Sequence, residues 1–170
     1  MLITRYAKIV MSLALAAFCL LVSIDNITDY GTNYLFVQHV MSMDTTFPGN
    51  ALMYRAITDP VLWRAAYAAI IAAEGVAGIL LLAGAIRLIR LRNAPGAAFN
   101  QGKTLVIAGC LLAFLVWFFG FMVVGGEWFA MWQSKDWNGQ EAAFRFYMAV
   151  LGVLIFVSLP DGDLTAPPGR

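Results

Sequence analysis

The chain has 170 residues, 61% of them hydrophobic and 12% charged, with a mean hydropathy of +0.76 and a formal net charge of +1. An ordinary soluble domain carries about 25% charged residues, so the composition excludes that class and makes a lipid bilayer the first partner of this chain. Near-zero net charge gives no electrostatic reason for a nucleic-acid partner, and the length suits a single domain over residues 1–170.

The first apolar stretch runs from Tyr6 to Ile24, behind Arg5 and with Lys8 near its start. A basic start before an apolar run also marks a signal peptide. This run is long for a signal core and reaches Asp25-Asn26 without a clear cleavage site, so it reads as a retained span, residues 6–24. Residues 25–60 follow as a long polar segment, and such loops carry structure or function. Phe36, Val40 and Met43 repeat there at helical spacing, which predicts a short interfacial helix with His39 on another face.

Asn26, Thr28, Asn33, Gln38, Thr45, Thr46, Asn50 and Asp59 crowd this segment together with Asp25, Asp29, His39, Asp44 and Arg55. If the first helix continues past Ile24, Asp25 and Asp29 share a face at i and i+4 and repel each other. A cation is then expected against them: Arg55, Arg64, Lys135, Arg145, a protonated His39 or a metal ion. The plainer reading is a set of ion pairs and caps that fasten loops to helix ends. His39, the only histidine, cannot supply two axial ligands to a haem. It reads as a hydrogen-bonded loop anchor or as one ligand of a mixed nitrogen and oxygen metal site.

The second span, residues 61–86, holds Arg64 near one end and Glu74 near its middle. Glu74 lies about 20 Å along the helix from Val61 at 1.5 Å per residue. A carboxylate at that depth is costly and marks a functional site by default, and desolvation favours its neutral acid. Tyr67 is two turns away on the same face and extends a polar path towards Arg64. The competing reading makes Glu74 hydrogen-bonding glue between helices. Ala65, Ala69, Ala73 and Ala77 recur at i, i+4, with Gly75, Gly78 and Gly84 alongside, which predicts a central helix that neighbours approach closely.

Residues 87–103 form a short basic turn containing Asn93-Ala94-Pro95-Gly96, and the third span, residues 104–124, carries no charge. Residues 125–141 hold Glu127 and three tryptophans. Trp128 and Trp132 are spaced to share a helical face, and with Trp137 they read as interfacial anchors on a second short amphipathic helix. Such rings also suit a quinone or lipid. The fourth span covers residues 142–159, with Arg145 near its start. Pro160-Asp161-Gly162-Asp163 through Arg170 read as a frayed, solvent-exposed tail. Cys19 and Cys110 fall inside spans without metal-ligand spacing, as small buried side chains.

Four crossings put Arg5, Lys8, Arg87, Arg90, Arg92, Lys103 and Arg170 on one side, which the positive-inside rule makes cytoplasmic together with both termini. That side sums to +5, the opposite side to −3, and Glu74 supplies the last −1. The expected fold is all-α, a four-helix transmembrane bundle with short interfacial helices in two outer loops.

Asn26-Ile27-Thr28-Asp29-Tyr30-Gly31-Thr32-Asn33, Phe36 to Thr45, Tyr54-Arg55-Ala56-Ile57-Thr58, and Gly125-Gly126-Glu127-Trp128-Phe129 through Trp137-Asn138-Gly139-Gln140 extend over nearly the whole chain. In these stretches the sequence resembles a family of small bacterial integral membrane proteins catalogued as a domain of unknown function. The resemblance implies a multi-span protein of the bacterial inner membrane and carries no activity with it. The residues show no phosphate loop, nucleophile motif or redox dithiol, so they name no enzyme and no cofactor. The role they predict is an accessory or scaffolding subunit of a larger membrane assembly, partnered by another membrane protein or a second copy. The alternative is a small oligomeric transporter or a ligand- or metal-binding membrane protein that uses Glu74 and the outer acidic cluster.

Overall fold

The computed structural model describes residues 2–164. Its helices are α1 (Leu2–Thr28), α2 (Tyr30–Ser42), α3 (Pro60–Leu91), α4 (Gly96–Gly102), α5 (Thr104–Phe114), a π-helical continuation of α5 (Leu115–Trp128) and α6 (Gln140–Ser158), with 3-10 turns at Met53–Arg55 and Met131–Gln133. Four stretches are long and apolar enough to cross a membrane: Leu2–Thr28, Pro60–Leu91, Gly96–Trp128 and Gln140–Ser158. The all-α four-span fold is therefore the one expected from sequence, and the chain is an integral membrane protein.

The spans overrun the boundaries read from hydropathy because charges at their ends are satisfied there. Asp59 caps α3 by accepting from Val61 N–H at 2.8 Å, and Pro60 needs no hydrogen-bond acceptor at the first helical position. At the other end Arg87 and Arg90 are exposed. Thirty-two residues make α3 about 48 Å long at 1.5 Å per residue, so both ends project past a hydrocarbon core of about 30 Å. Thr28 ends α1 with its hydroxyl turned back onto the Ile24 carbonyl, 3.0 Å. The chain then breaks at Asp29 and restarts as α2, the short helix expected around His39. Met43 closes α2 in the left-handed region, φ 54°.

Helix α3 is central, packed along α1 on one side and α5 on the other, while α6 lies against α5, the π segment and α1. Glycines set the close approaches. A Cβ on Gly78 would stand 2.7 Å from Leu20 Cγ, and one on Gly84 would stand 2.7 Å from Val106 N. Without a hydrophobic driving force between helices in lipid, such close packing carries the association. Leu81, Leu88, Val106, Val150 and Val157 fill the core together with Cys19 and Cys110, both free and fully buried. Val10, Ile79, Leu111, Phe119 and Ile155 face outward, as lipid-facing residues do.

Two expectations need correction. First, the segment after α6 is not frayed through Asp163. Arg5 is fully buried and donates to the carbonyls of Arg92 (2.9 Å), Ala94 (2.6 Å) and Gly162 (2.8 Å). Lys8 and Lys103 both reach Asp161 Oδ2, at 2.6 and 2.5 Å, and both donate to the Leu159 carbonyl. Asp163 accepts from Gly96 N–H at 2.6 Å. Buried lysines need a counter-charge, and that need draws Asp161 inward. Burial by itself raises the Asp161 carboxyl, but hydrogen bonds from Lys103 and Lys8 outweigh it and hold the group below its ordinary value. The part of the expected tail from residue 165 to Arg170 lies outside the described residues.

Second, the second outer segment does not hold an amphipathic helix that displays Trp128 and Trp132 on one face. The π segment runs to Trp128, Ala130 turns the chain at φ 52°, and only the 3-10 turn at Met131–Gln133 follows. The extended third span leaves too few residues for a separate helix.

Candidate functional site

The end of the bundle that carries α2 is loosely filled, and the reason lies in α5. Phe129 N–H bonds to the carbonyl of Val124, five residues back, at 3.0 Å, the register of a π-helix, a geometry often found at functional sites. Helix α3 packs along α5 but scarcely along the π segment. A gap opens between the two, and α2 lies over it.

Glu74 stands at the inner end of this gap, 2% exposed. Its Oε2 accepts from Asn26 Nδ2 at 2.7 Å. Tyr67, on the same face of α3, donates its hydroxyl to the Asn26 carbonyl at 2.8 Å, so Asn26 holds both residues to α1. Tyr67 packs against Tyr30 of α2, ring centroids 4.8 Å apart. Glu74, Asn26, Tyr67 and Asn33 line a cavity of about 220 Å³ together with Phe36, Trp117, Phe121 and Phe146. Glu74 is thus hydrogen-bonded to a neighbouring helix, as a glue residue would be, and it also borders open space.

A second cavity of about 360 Å³ adjoins the first, sharing Phe36, Val37, Ile70 and Phe121. It is a groove between α2, α3 and the π segment, with an almost wholly apolar lining. The small-residue stripe of α3 divides here. Ala77 is buried in the bundle, whereas Ala69 and Ala73 line the groove.

The outer residues named from sequence do not form one cluster. His39 Nδ1 pairs with Asp44 at 2.8 Å, and its ring stacks on Trp137, centroids 4.4 Å apart. Arg55 donates to the carbonyls of Glu127 and Trp128 and lies over the Trp128 ring. Asp29 accepts from Thr32, and the cation expected against Asp25 and Asp29 is not found among the described residues. Arg145 pairs with Glu141 one turn away. Asp25 and Asp29 are both exposed, so neither carries the burial penalty that would demand a paired cation. Among the described residues no three His, Cys, Asp or Glu side chains converge as a metal site. Trp128 and Trp132 are half exposed. Trp132 meets Phe47 edge-on, and Trp137 closes the loop through His39 and Phe36.

Asn26 and Asn33 are the site residues that sequence reasoning left among the loop polars. The signal for Asn26 is its register: it follows the buried Cys19 and Ser23 at seven and three residues on one helical face. Asn33 carried no such signal, because the break at Asp29 resets the register.

A family model described as "Predicted small integral membrane protein (DUF2165)" matches residues 4–160. No curated protein and no solved structure matches the chain. With nearly its whole length inside that match, the chain belongs to the DUF2165 family of small integral membrane proteins of unknown function.

Proposed function

We propose that this chain is a ligand-binding protein of the bacterial inner membrane, with both termini cytoplasmic and the Glu74 cavity in the periplasmic half. The charge asymmetry supports the orientation, since the end that holds the chain termini carries the basic excess. One observation carries the binding reading: Glu74 and Tyr67 are both bonded to Asn26, and these three polar residues together with Asn33 still line a cavity. An acid that served only as glue gains nothing from bordering open space. Convergent polar groups in an otherwise apolar pocket are the usual form of a small-molecule site.

Native mass spectrometry of the protein extracted in mild detergent tests this. A bound small molecule is expected on the wild type and depleted in Glu74→Gln. An empty wild type, or equal content in both, overturns the reading.

The accessory-subunit role is the second reading, favoured by α6. Gly152 there meets nothing within 4 Å of where a Cβ would sit, and Met148 and Ile155 beside it are exposed. Another membrane helix can approach closely at such a spot. Recovery from native membranes as a monomer only, with no co-purifying protein, counts against that role.

A further inference from the structure

The chemistry of the ligand can be narrowed, given the binding reading of the Glu74 cavity. The acid has one hydrogen-bond partner, Asn26, and no lysine, arginine or histidine pairs with it among the described residues. Arg64, on the same helix, lies ten residues away, about 15 Å along the axis. A buried carboxylate without a counter-charge is strongly disfavoured and left to itself takes up a proton, so a ligand that brings a positive charge is what would hold this acid in its ionised form.

The walls around Glu74 favour the same class. Phe36, Trp117, Phe121 and Phe146 contribute aromatic surface to the cavity, and aromatic faces attract ammonium groups. A hard metal cation completes its six or more oxygen ligands with water where protein ligands are few, and the aromatic walls of this cavity offer an ammonium head more contact than they offer a hydrated ion. The adjoining groove is apolar and shares four residues with the polar cavity. A head group at Glu74 can therefore extend an apolar tail directly into it.

We propose that the site takes an amphiphilic cation, a singly charged ammonium head beside Glu74 within the aromatic wall, with its apolar chain in the groove between α2, α3 and the π segment. The head supplies the charge that the protein withholds from Glu74, and the tail covers Ala69, which is exposed, and the groove side of Ala73.

The test is saturable binding of radiolabelled dodecyltrimethylammonium to the full chain in maltoside micelles. Unlabelled dodecyltrimethylammonium, dodecanol and tetramethylammonium serve as competitors. Glu74→Gln is expected to weaken binding by about tenfold or more, as loss of a desolvated charge pair does, while Glu74→Asp stays near wild type. Ala69→Trp, which fills the groove, is expected to weaken the long-chain cation and leave competition by tetramethylammonium unchanged. Dodecanol is expected not to compete. If dodecanol competes as well as the unlabelled cation, or if Glu74→Gln binds like wild type, the cationic class is wrong. No saturable binding also overturns the class. In either case a Glu74-dependent co-purifying molecule leaves the binding reading standing, and its absence removes both.

Discussion

Asp161 illustrates how a single side chain decides the fate of a segment. Its carboxylate receives both Lys8 and Lys103 in a site where all three side chains are at most 3% exposed. Removing one partner from a buried charge set leaves the others uncompensated and costs about 3–5 kcal/mol, so Asp161→Asn is expected to lower the melting temperature sharply in detergent. Lys103→Met, which leaves the Lys8 pair intact, should cost less. The pH dependence has a definite sign. The folded-state value of Asp161 lies below its ordinary one, so its contribution is complete above the ordinary carboxylate range and is lost as pH falls through the lowered value. Wild type should therefore keep this stability at mildly acidic pH, and the gap to Asp161→Asn should close only in strong acid. A constant gap across a pH series of melts would show that Asp161 is not the titrating group.

The same residue marks a limit of sequence reading. Lys8 was legible as an odd charge near the start of a span, and Asp161 as a polar residue in a Pro-Asp-Gly-Asp run. That the two would meet depends on α1 starting at the level where α6 ends, with Lys103 also reaching Asp161. No local pattern encodes that coincidence. Glu74 was legible by contrast, because intramembrane depth follows from counting along one helix. Its partner Asn26 sits 48 positions away on α1 and was not.

At the scale of elements, glycine spacing on α3 was readable, but its assignment to particular neighbours was not. Gly78 meets Leu20 of α1 so closely that an added Cβ would lie 2.7 Å from its Cγ and 3.0 Å from its backbone N. Gly152 on α6 meets nothing. Gly→Ala gains up to about 1 kcal/mol of helix propensity at either position, and overpacking costs about 1–3 kcal/mol. Gly78→Ala is expected to destabilise the bundle and Gly152→Ala to be neutral or stabilising. Equal melting temperatures for the two variants would mean that the α1–α3 seam yields without strain. The π segment is the element that hydropathy could not announce. Leu115 to Val124 read as the end of an apolar span in any register, and α3 packs only slightly along the π segment. The groove, and with it half of the candidate site, is walled on one side by that segment.

At the scale of the whole molecule, the bundle is polarised in two ways that reinforce each other. The end holding the start of α1 and the end of α6 is sealed by Arg5, Lys8, Lys103, Asp161 and Asp163, each bonded across elements. The α2 end keeps its acids exposed and its interior open. A protein loose at one end and closed at the other opens its cavity towards one leaflet and one compartment only, so under the proposed binding role the orientation determines where a ligand enters. The two native cysteines give a direct way to measure it, because Cys19 and Cys110 are both fully buried and should not react with an impermeant maleimide. Lys135→Cys, at an exposed position beside the Met131–Gln133 turn, is expected to label from outside on intact spheroplasts. Asn93→Cys, exposed between α3 and α4, is expected to label only after permeabilisation. The reverse pattern would place the Glu74 cavity on the cytoplasmic side and break the agreement with the basic excess at the opposite end. Labelling of the wild type under the same conditions would show instead that the helices part enough to expose Cys19 or Cys110, which the tight α1–α3 and α3–α5 seams should prevent.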